Sequence, residues 1–387
     1  MIKISLKAAE RIIQWRRHFH QYPELGLKEY GTQKYLVQTL KKLQIPSFQD
    51  FGETGLLALI DGTLPGPLIA FRSDMDALPI TELNDHPYCS RNSGLMHACG
   101  HDGHMAMLLG FLTWIKEEKK VFPGKIAAIF QPGEEGFFGA KKMLEAGLFQ
   151  VANPDAIYGI HLWNFLPAGT LSCPDGFMMA AADEFFVNIK GFGGHAAHPH
   201  TAIDPIVCAA RIVDTLQSIV SREISPFSRS VLTIGKICGG TAFNVIPDEV
   251  RFEGTLRADS EESRQLMKNR FQEIIESISR AHRCKSEINY IDGYPALINH
   301  PAEAQRVRKA AFGLFAEEKI YNDVVSMAGE DFAYFLQEKP GAFIFLGSAK
   351  DENAYPHHHP RFEIDESVLR LGVELMIKIA EKHWEKR

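Results

Sequence analysis

The chain has 387 residues, 45% of them hydrophobic and 23% charged, which predicts two or three domains and excludes collagen-like, coiled-coil and disordered classes. Its 42 basic and 48 acidic residues leave a formal charge of −6 with no basic block, so nucleic acid and anionic membrane are disfavoured as partners. The first ten residues alternate polar and apolar types, so neither a signal peptide nor a membrane anchor is expected there. Six cysteines, Cys89, Cys99, Cys173, Cys208, Cys238 and Cys284, lack framework spacing. They read as thiols of a reducing compartment, the cytoplasm.

Apolar residues at helical spacing predict helices over 8–25 and 32–43. Short apolar runs at 55–60, 68–71, 125–130 and 156–160 read as strands, with helices at 98–119 and 140–146 between some of them. That alternation implies an α/β sheet with covered faces. After Pro174 the rhythm becomes strand 183–190, helix 204–222, strands 230–237 and 249–257, helix 261–282 and strand 285–290. This βαββαβ order is the ferredoxin-like, split βαβ pattern of a small two-layer α+β domain. A helix at 301–318, a strand at 342–346 and a final amphipathic helix from Asp365 restore the α/β character. The expected organisation is therefore a first domain of residues 1–181 and 296–387, interrupted by an inserted domain of residues 182–295.

Residues 96–104 pack His97, Cys99, His101, Asp102 and His104 into nine positions ahead of a helix-like run. Metal ligation accounts for that density: Cys99 and His101 can converge on one cation, and a helix N-terminus favours the Cys99 thiolate. The plainer alternative makes Cys99 a small buried apolar residue and the histidines surface or capping groups. Glu134 and Glu135 follow the strand at 125–130, and strand C-terminal ends are where α/β sheets place ligands. Adjacent side chains point different ways, so one carboxylate can bind metal while the other holds a water or takes its proton; solvated loop glutamates are the alternative. His161 likewise follows a strand-like run, and Asp74 and Asp76 follow the strand at 68–71, where an aspartate can hold the outer nitrogen of a ligating histidine. His357, His358 and His359 form a compositionally odd run near the C-terminus.

Eight motifs occur in an order and spacing similar to those of the hippurate hydrolase, auxin-conjugate amidohydrolase and N-acyl-amino-acid amidohydrolase group. They are Arg72-Ser-Asp-Met-Asp-Ala-Leu-Pro79, His97-Ala-Cys-Gly-His-Asp102, Gln131-Pro-Gly-Glu-Glu135, His161-Leu-Trp163, Gly194-His-Ala-Ala-His-Pro-His200, Asn244-Val-Ile-Pro247, Gly329-Glu-Asp-Phe332 and His358-His-Pro360. The chain thus resembles the dinuclear-metal aminoacylase and carboxypeptidase family. The resemblance implies a mixed-sheet, metallopeptidase-like catalytic domain carrying an inserted lid and dimerisation domain. It further implies two divalent metal ions bridged by Cys99, where most of the wider family has an aspartate. One metal would take His101 and His161, the other Glu135 and His358. A thiolate suits zinc, while the imidazole and carboxylate ligands also suit manganese, cobalt or nickel.

By the same resemblance Glu134 is the general base, Asp76 orients a histidine ligand, and His195 stabilises the oxyanion, often in the neighbouring subunit's site. Asn244 and Arg257 would hold the amide oxygen and α-carboxylate of the substrate, a planar guanidinium suiting a carboxylate. The implied activity is hydrolysis of N-acyl-L-amino acids by a homodimer. N-acetyldiaminopimelate deacetylation is the near rival, and carboxypeptidase or dipeptidase activity a further one. Two other classes are a Cys/His hydrolase with Cys99 as nucleophile and a non-catalytic metal-binding dimer. Phe177, Met178, Met179 and Phe243 are candidates for an apolar acyl pocket, with core packing the expected fate of each.

Overall fold

The apolar runs of the first part of the chain become the middle of an eight-stranded mixed sheet in a computed structural model that describes residues 4–119 and 121–385. In spatial order its strands are Ser47–Phe51, Gly55–Asp61, Pro123–Gln131, Leu64–Asp74, Ala156–Pro167, Gly341–Ala349, Leu171–Ser172 and Ile320–Tyr321. The four strands from Pro123–Gln131 to Gly341–Ala349 run parallel to one another. They read as unbroken apolar runs because helices screen them from water. Helix His101–Glu117 packs on Leu64–Asp74 and against helices Leu6–Gln21 and Val368–Trp384, so it is apolar nearly all round rather than striped.

Several element ends differ from expectation for local reasons. The first helix is capped by Ser5, whose hydroxyl accepts from the Ala8 N–H at 3.2 Å, and it stops at Gln21, short of Pro23. The helix expected from Ala98 begins only at His101, because Gly100 takes φ +92°, a left-handed conformation that no helix continues through. The helix expected to reach Glu318 ends at Ala311, ahead of Gly313 at φ +84°. The short strand Ser47–Phe51 has two apolar residues only, and nothing in its pattern announces it.

The chain divides into two compact units. The first holds the large sheet and comprises the residues up to Met178, Ile298–Val324 and Asp331–Arg387. The second comprises Met179–Leu297 with Val325–Glu330. Residues 325–330, assigned from sequence to the returning part of the catalytic domain, instead join the second unit, where the Ala180 N–H donates to the Ala328 carbonyl at 3.0 Å.

The second unit has the four-stranded antiparallel sheet Ser230–Gly239, Glu249–Ala258, Ala181–Lys190, Lys285–Tyr294, backed by helices Pro205–Ser218 and Glu261–Ala281. Phe185, Val187 and Ile189 alternate inward along Ala181–Lys190, and Phe185 meets Phe271 of the longer helix with ring centroids 4.5 Å apart. Asp183 is buried on the same strand, where it accepts from Arg264 Nε at 2.9 Å, the Tyr290 hydroxyl at 2.7 Å and the Gly293 N–H at 2.8 Å. Among the described residues no helix is long and apolar enough to cross a membrane.

Candidate metal centre

Strand register sets the level of the site. Arg72 pairs with Gly159 and Asp74 with Gln131, so His161, two residues past Gly159, stands level with Asp74 and Gln131 at the C-terminal ends of three parallel strands. The loops that follow bring in the remaining groups. Cys99 Sγ lies 3.6 Å from His161 Nε2, and His161 donates its Nδ1–H to the Leu162 carbonyl at 2.7 Å. His101 donates Nδ1–H to the Asp76 carbonyl at 2.9 Å, which leaves its Nε2 buried without a hydrogen bond. The Glu135 N–H donates to Asp76 Oδ2 at 2.9 Å, and Asp76 Oδ1 lies 3.3 Å from His101 Nδ1. One aspartate therefore fixes both a candidate imidazole ligand and a candidate carboxylate ligand.

His358 enters from the far end of the chain, its N–H held by the Ala98 carbonyl at 2.8 Å and its Nε2 3.2 Å from Glu135 Oε1. Its φ of +65° is unusual for a residue with a Cβ, and that strain is maintained where the ring must face Glu135. The neighbouring histidines are otherwise engaged. His357 Nε2 accepts from the Asn164 N–H at 3.1 Å, and His359 stacks on Tyr355.

Two ligand sets result, Cys99–His101–His161 and Cys99–Glu135–His358, each with its ligand atoms within 4.8 Å of one another. They share Cys99. His101 Nε2 and Glu135 Oε1 are buried and make no hydrogen bond, a condition native structures avoid unless another ligand satisfies the group. The donors fit two divalent cations with a sulfur between them.

The electrostatics point the same way. Although burial opposes it, Asp74 and Asp76 lift His101 to about 10, so the negative potential that would hold a proton on Nε2 also draws a cation. Burial, Glu135, Glu134 and Asp74 push the Cys99 thiol well above its ordinary range. The expected helix-dipole aid to the thiolate is thus outweighed, with Cys99 two residues ahead of the helix start. Burial, His104 and His357 hold His161 well below the ordinary imidazole value. A metal-free thiolate–imidazolium pair, the starting point of Cys/His catalysis, is disfavoured at both partners.

Several residues around the site take structural roles that the motifs do not specify. His104 is no ligand, because its Nδ1–H donates to Asp74 Oδ1 at 2.6 Å and its Nε2 accepts from the Leu162 N–H at 2.9 Å. Arg72 lies beneath, donating to Gln131 Oε1 at 2.7 Å, Asp74 Oδ2 at 2.8 Å and Asp331 Oδ1 at 3.2 Å. Glu29 accepts from the Gly133 N–H at 2.9 Å, directly ahead of Glu134, and burial followed by the Asp76 charge raises it to about 7. The motif Gly329-Glu-Asp-Phe332 was the signal for Asp331; nothing in the sequence singles out Glu29.

His195, Asn244 and Arg257 belong to the second unit. His195 pairs with Val245 in a two-stranded ribbon, and the Ala196 N–H donates to the Asn244 carbonyl at 3.1 Å, which keeps those two residues together. His195 Nδ1 accepts from the Ala197 N–H at 3.0 Å, so Nε2 carries the proton and is a donor facing solvent. Arg257 is not with them. It sits near the other end of strand Glu249–Ala258, eight residues past Glu249 and so about 26 Å away at ~3.3 Å per residue. Among the described residues its guanidinium has no ion pair. Of the acyl-pocket candidates, Met178 and Met179 are buried as expected, whereas Phe243 is fully exposed beside Asn244, a correction to its expected core placement.

Comparison with known proteins gives a match to peptidase family M20/M25/M40 over residues 70–382. The chain is 43% identical over 367 residues to an N-acetyl-L-cysteine deacetylase of Bacillus subtilis, covering 95% of this chain and 86% of that protein. It is 38% identical over 371 residues to an N-acetyldiaminopimelate deacetylase of Geobacillus, covering 94% and 95% respectively. A dinuclear-metal-binding M20 peptidase from Bacillus subtilis superposes with a TM-score of 0.85 at 33% identity, covering 99% of this chain and all of that one.

Replacing Asp76 by alanine removes the acceptor of the Glu135 N–H and the carboxylate beside His101. Zinc affinity measured by chelator competition is expected to fall about 10–100-fold, the usual effect of losing an outer-shell partner. Unchanged affinity would refute its anchoring role.

Proposed function

The chain belongs to the M20/M25/M40 peptidase family and is a metal-dependent amidohydrolase, and we propose that it cleaves N-acyl-L-amino acids to a carboxylic acid and a free amino acid. The observation that carries this reading is Cys99 shared between two ligand sets with Glu134 at their edge. Two divalent cations would be held by Cys99, His101 and His161 on one side and by Cys99, Glu135 and His358 on the other. The thiolate favours zinc, with manganese, cobalt and nickel also accommodated. When bound, the cations supply Lewis acidity at the amide oxygen and acidify a water.

The chain's own groups supply the rest. Glu134 is 6% exposed and adjoins the ligand Glu135. It takes the proton of the attacking water and returns it to the leaving amine, which makes a poor leaving group a competent one. His195 Nε2–H is a donor for the oxyanion, the Asn244 amide a donor for the same oxygen, and Arg257 a partner for the α-carboxylate. About 26 Å of strand between Arg257 and Glu249, the strand end next in sequence to the His195–Asn244 ribbon, exceeds the length of an acyl amino acid. That span supports a homodimer in which Arg257 of one chain and His195 of the other serve one site. The six unpaired cysteines support a cytoplasmic setting. The first relative supports small N-acyl amino acids as substrates; the second supports N-acetyldiaminopimelate as the rival.

A panel of N-acetyl and N-benzoyl amino acids with N-acetyldiaminopimelate, assayed by amine release, tests the reading. Turnover of the simple acyl amino acids that vanishes on chelation and returns with zinc or manganese is the expected outcome. Cleavage of N-acetyldiaminopimelate alone would transfer the assignment to the rival.

Glu134→Gln is expected to retain both metals and lose turnover by ~10²–10⁴-fold, whereas Glu135→Gln loses metal. Metal content measured beside initial rates separates the two roles, and equal metal loss in both variants would refute the division.

His101→Ala and His195→Ala are each expected to be inactive alone and to regain activity when mixed and re-associated, because some heterodimers then carry one complete site. An inactive mixture, with subunit exchange established by native mass spectrometry, would assign His195 to its own chain or to no catalytic part.

A further inference from the structure

A second convergence of ligand atoms lies in the first unit and shares no side chain with the Cys99 cluster. His20 closes helix Leu6–Gln21, while Glu82 and His86 belong to the loop ahead of the Cys99 motif. His20 Nε2 and His86 Nε2 approach the same atom, Glu82 Oε1, at 3.2 Å and 3.3 Å, and the ligand atoms of the three residues lie within 4.8 Å of one another.

Hydrogen bonding accounts for His20, which is bonded to Glu82 Oε1, but not for His86. Glu82 Oε1 also accepts from Asn84 Nδ2 at 3.0 Å, so three nitrogens crowd an oxygen with two lone pairs. His86 Nε2 is buried and makes no hydrogen bond there. Glu82 has no lysine or arginine partner among the described residues, whereas the nearby Asp102 is compensated by Arg16 Nε at 2.9 Å. With zinc–nitrogen and zinc–oxygen bonds of ~2.0–2.1 Å at a tetrahedral angle, neighbouring ligand atoms stand about 3.3 Å apart. The two nitrogen-to-oxygen separations have that value.

The outer contacts are also those of a metal site. His20 donates Nδ1–H to Asp102 Oδ2 at 2.8 Å, so that Nε2, on losing its proton to a bound cation beside Glu82, would present its lone pair in the carboxylate–histidine–metal pattern. Glu82 Oε2 is fixed by the Ser90 N–H at 2.6 Å, and the His86 ring is stacked on Tyr88 with centroids 3.8 Å apart. The His20, Glu82 and His86 side chains are 0%, 4% and 13% exposed, so an ion enters from the His86 side and a water can complete its coordination.

We infer that His20, Glu82 and His86 form a site for one zinc ion, additional to the Cys99 centre. The ion clamps the end of the first helix to the 82–90 loop and, through His20 and Asp102, to the helix that begins with His101. The inference stands independently of the proposed substrate.

Full-length protein stripped with a chelator and equilibrated by dialysis against micromolar zinc tests it. Wild type is expected to bind one equivalent more than His86→Ala and than Glu82→Gln, while Cys99→Ala keeps the ion at His20. His86→Ala with metal restored is expected to turn over substrate as wild type does. Since either variant could fail to fold, wild-type crystals soaked in micromolar zinc supply a second readout, an anomalous peak between His20, Glu82 and His86. Equal stoichiometry in wild type and folded His86→Ala, no peak at that position, or occupancy only at millimolar zinc would each overturn the inference. Loss of the Cys99-centre metals with this peak retained would count against the proposed catalytic centre alone.

Discussion

The site is governed by a charge imbalance built into the edge of a parallel sheet. Asp74, Asp76, Glu134, Glu135 and Asp331 gather around buried strand ends, and among the described residues the Arg72 guanidinium is bonded to Asp74 and Asp331. Five carboxylates gathered in surroundings of low dielectric set up a strong negative potential. That potential is expressed in the neighbouring titratable groups: a proton is drawn to His101 and the Cys99 thiolate is disfavoured. Divalent cations resolve both effects at once, and most of the local geometry serves to keep the ligands aimed while they do so.

Asp76 shows how economically that aim is kept. Its carbonyl and carboxylate hold His101, and the same carboxylate accepts the Glu135 N–H. On the opposite side of the loop, Glu29 accepts the Gly133 N–H. The Gly133–Glu135 turn is thus gripped at both ends by buried side chains, and Glu134 lies between the two grips. The backbone of the proposed base is held on both sides in this way, which is what preorganisation requires.

The candidate ligand positions Cys99, His101, Glu135 and His161 were legible in the sequence because each follows a strand or lies at a helix start, and those boundaries carry apolar periodicity and Gly or Pro punctuation. Arg72 and Asp331 lie in quoted motifs but their bond to each other was not legible, and Glu29 was not legible at all, since these roles rest on meetings between residues 259 and 104 positions apart, and no local pattern encodes such a meeting. The dense run at 97–104 also overstated its ligand count. His104 has the same residue type and neighbourhood as His101, and only the fold shows that both of its nitrogens are taken. Reading the helix from Ala98 failed at Gly100, where a positive φ lets the chain reverse between the thiol and the first imidazole. In the second unit the βαββαβ order was readable from alternation, because one sheet face is packed on helices; the exposure of Phe243 was not, because an isolated aromatic in a polar loop carries no periodicity.

Phe243 itself carries an evolutionary consequence. The candidate ligands His101 and His161 are tied into buried networks, so almost any change there disturbs the stability of the first unit. Phe243 makes no such contribution: its side chain is wholly in water and can be exchanged for a smaller, larger or polar one with little effect on folding. A lineage can therefore vary this loop, one substitution at a time, while the buried network around the candidate metal centre stays fixed.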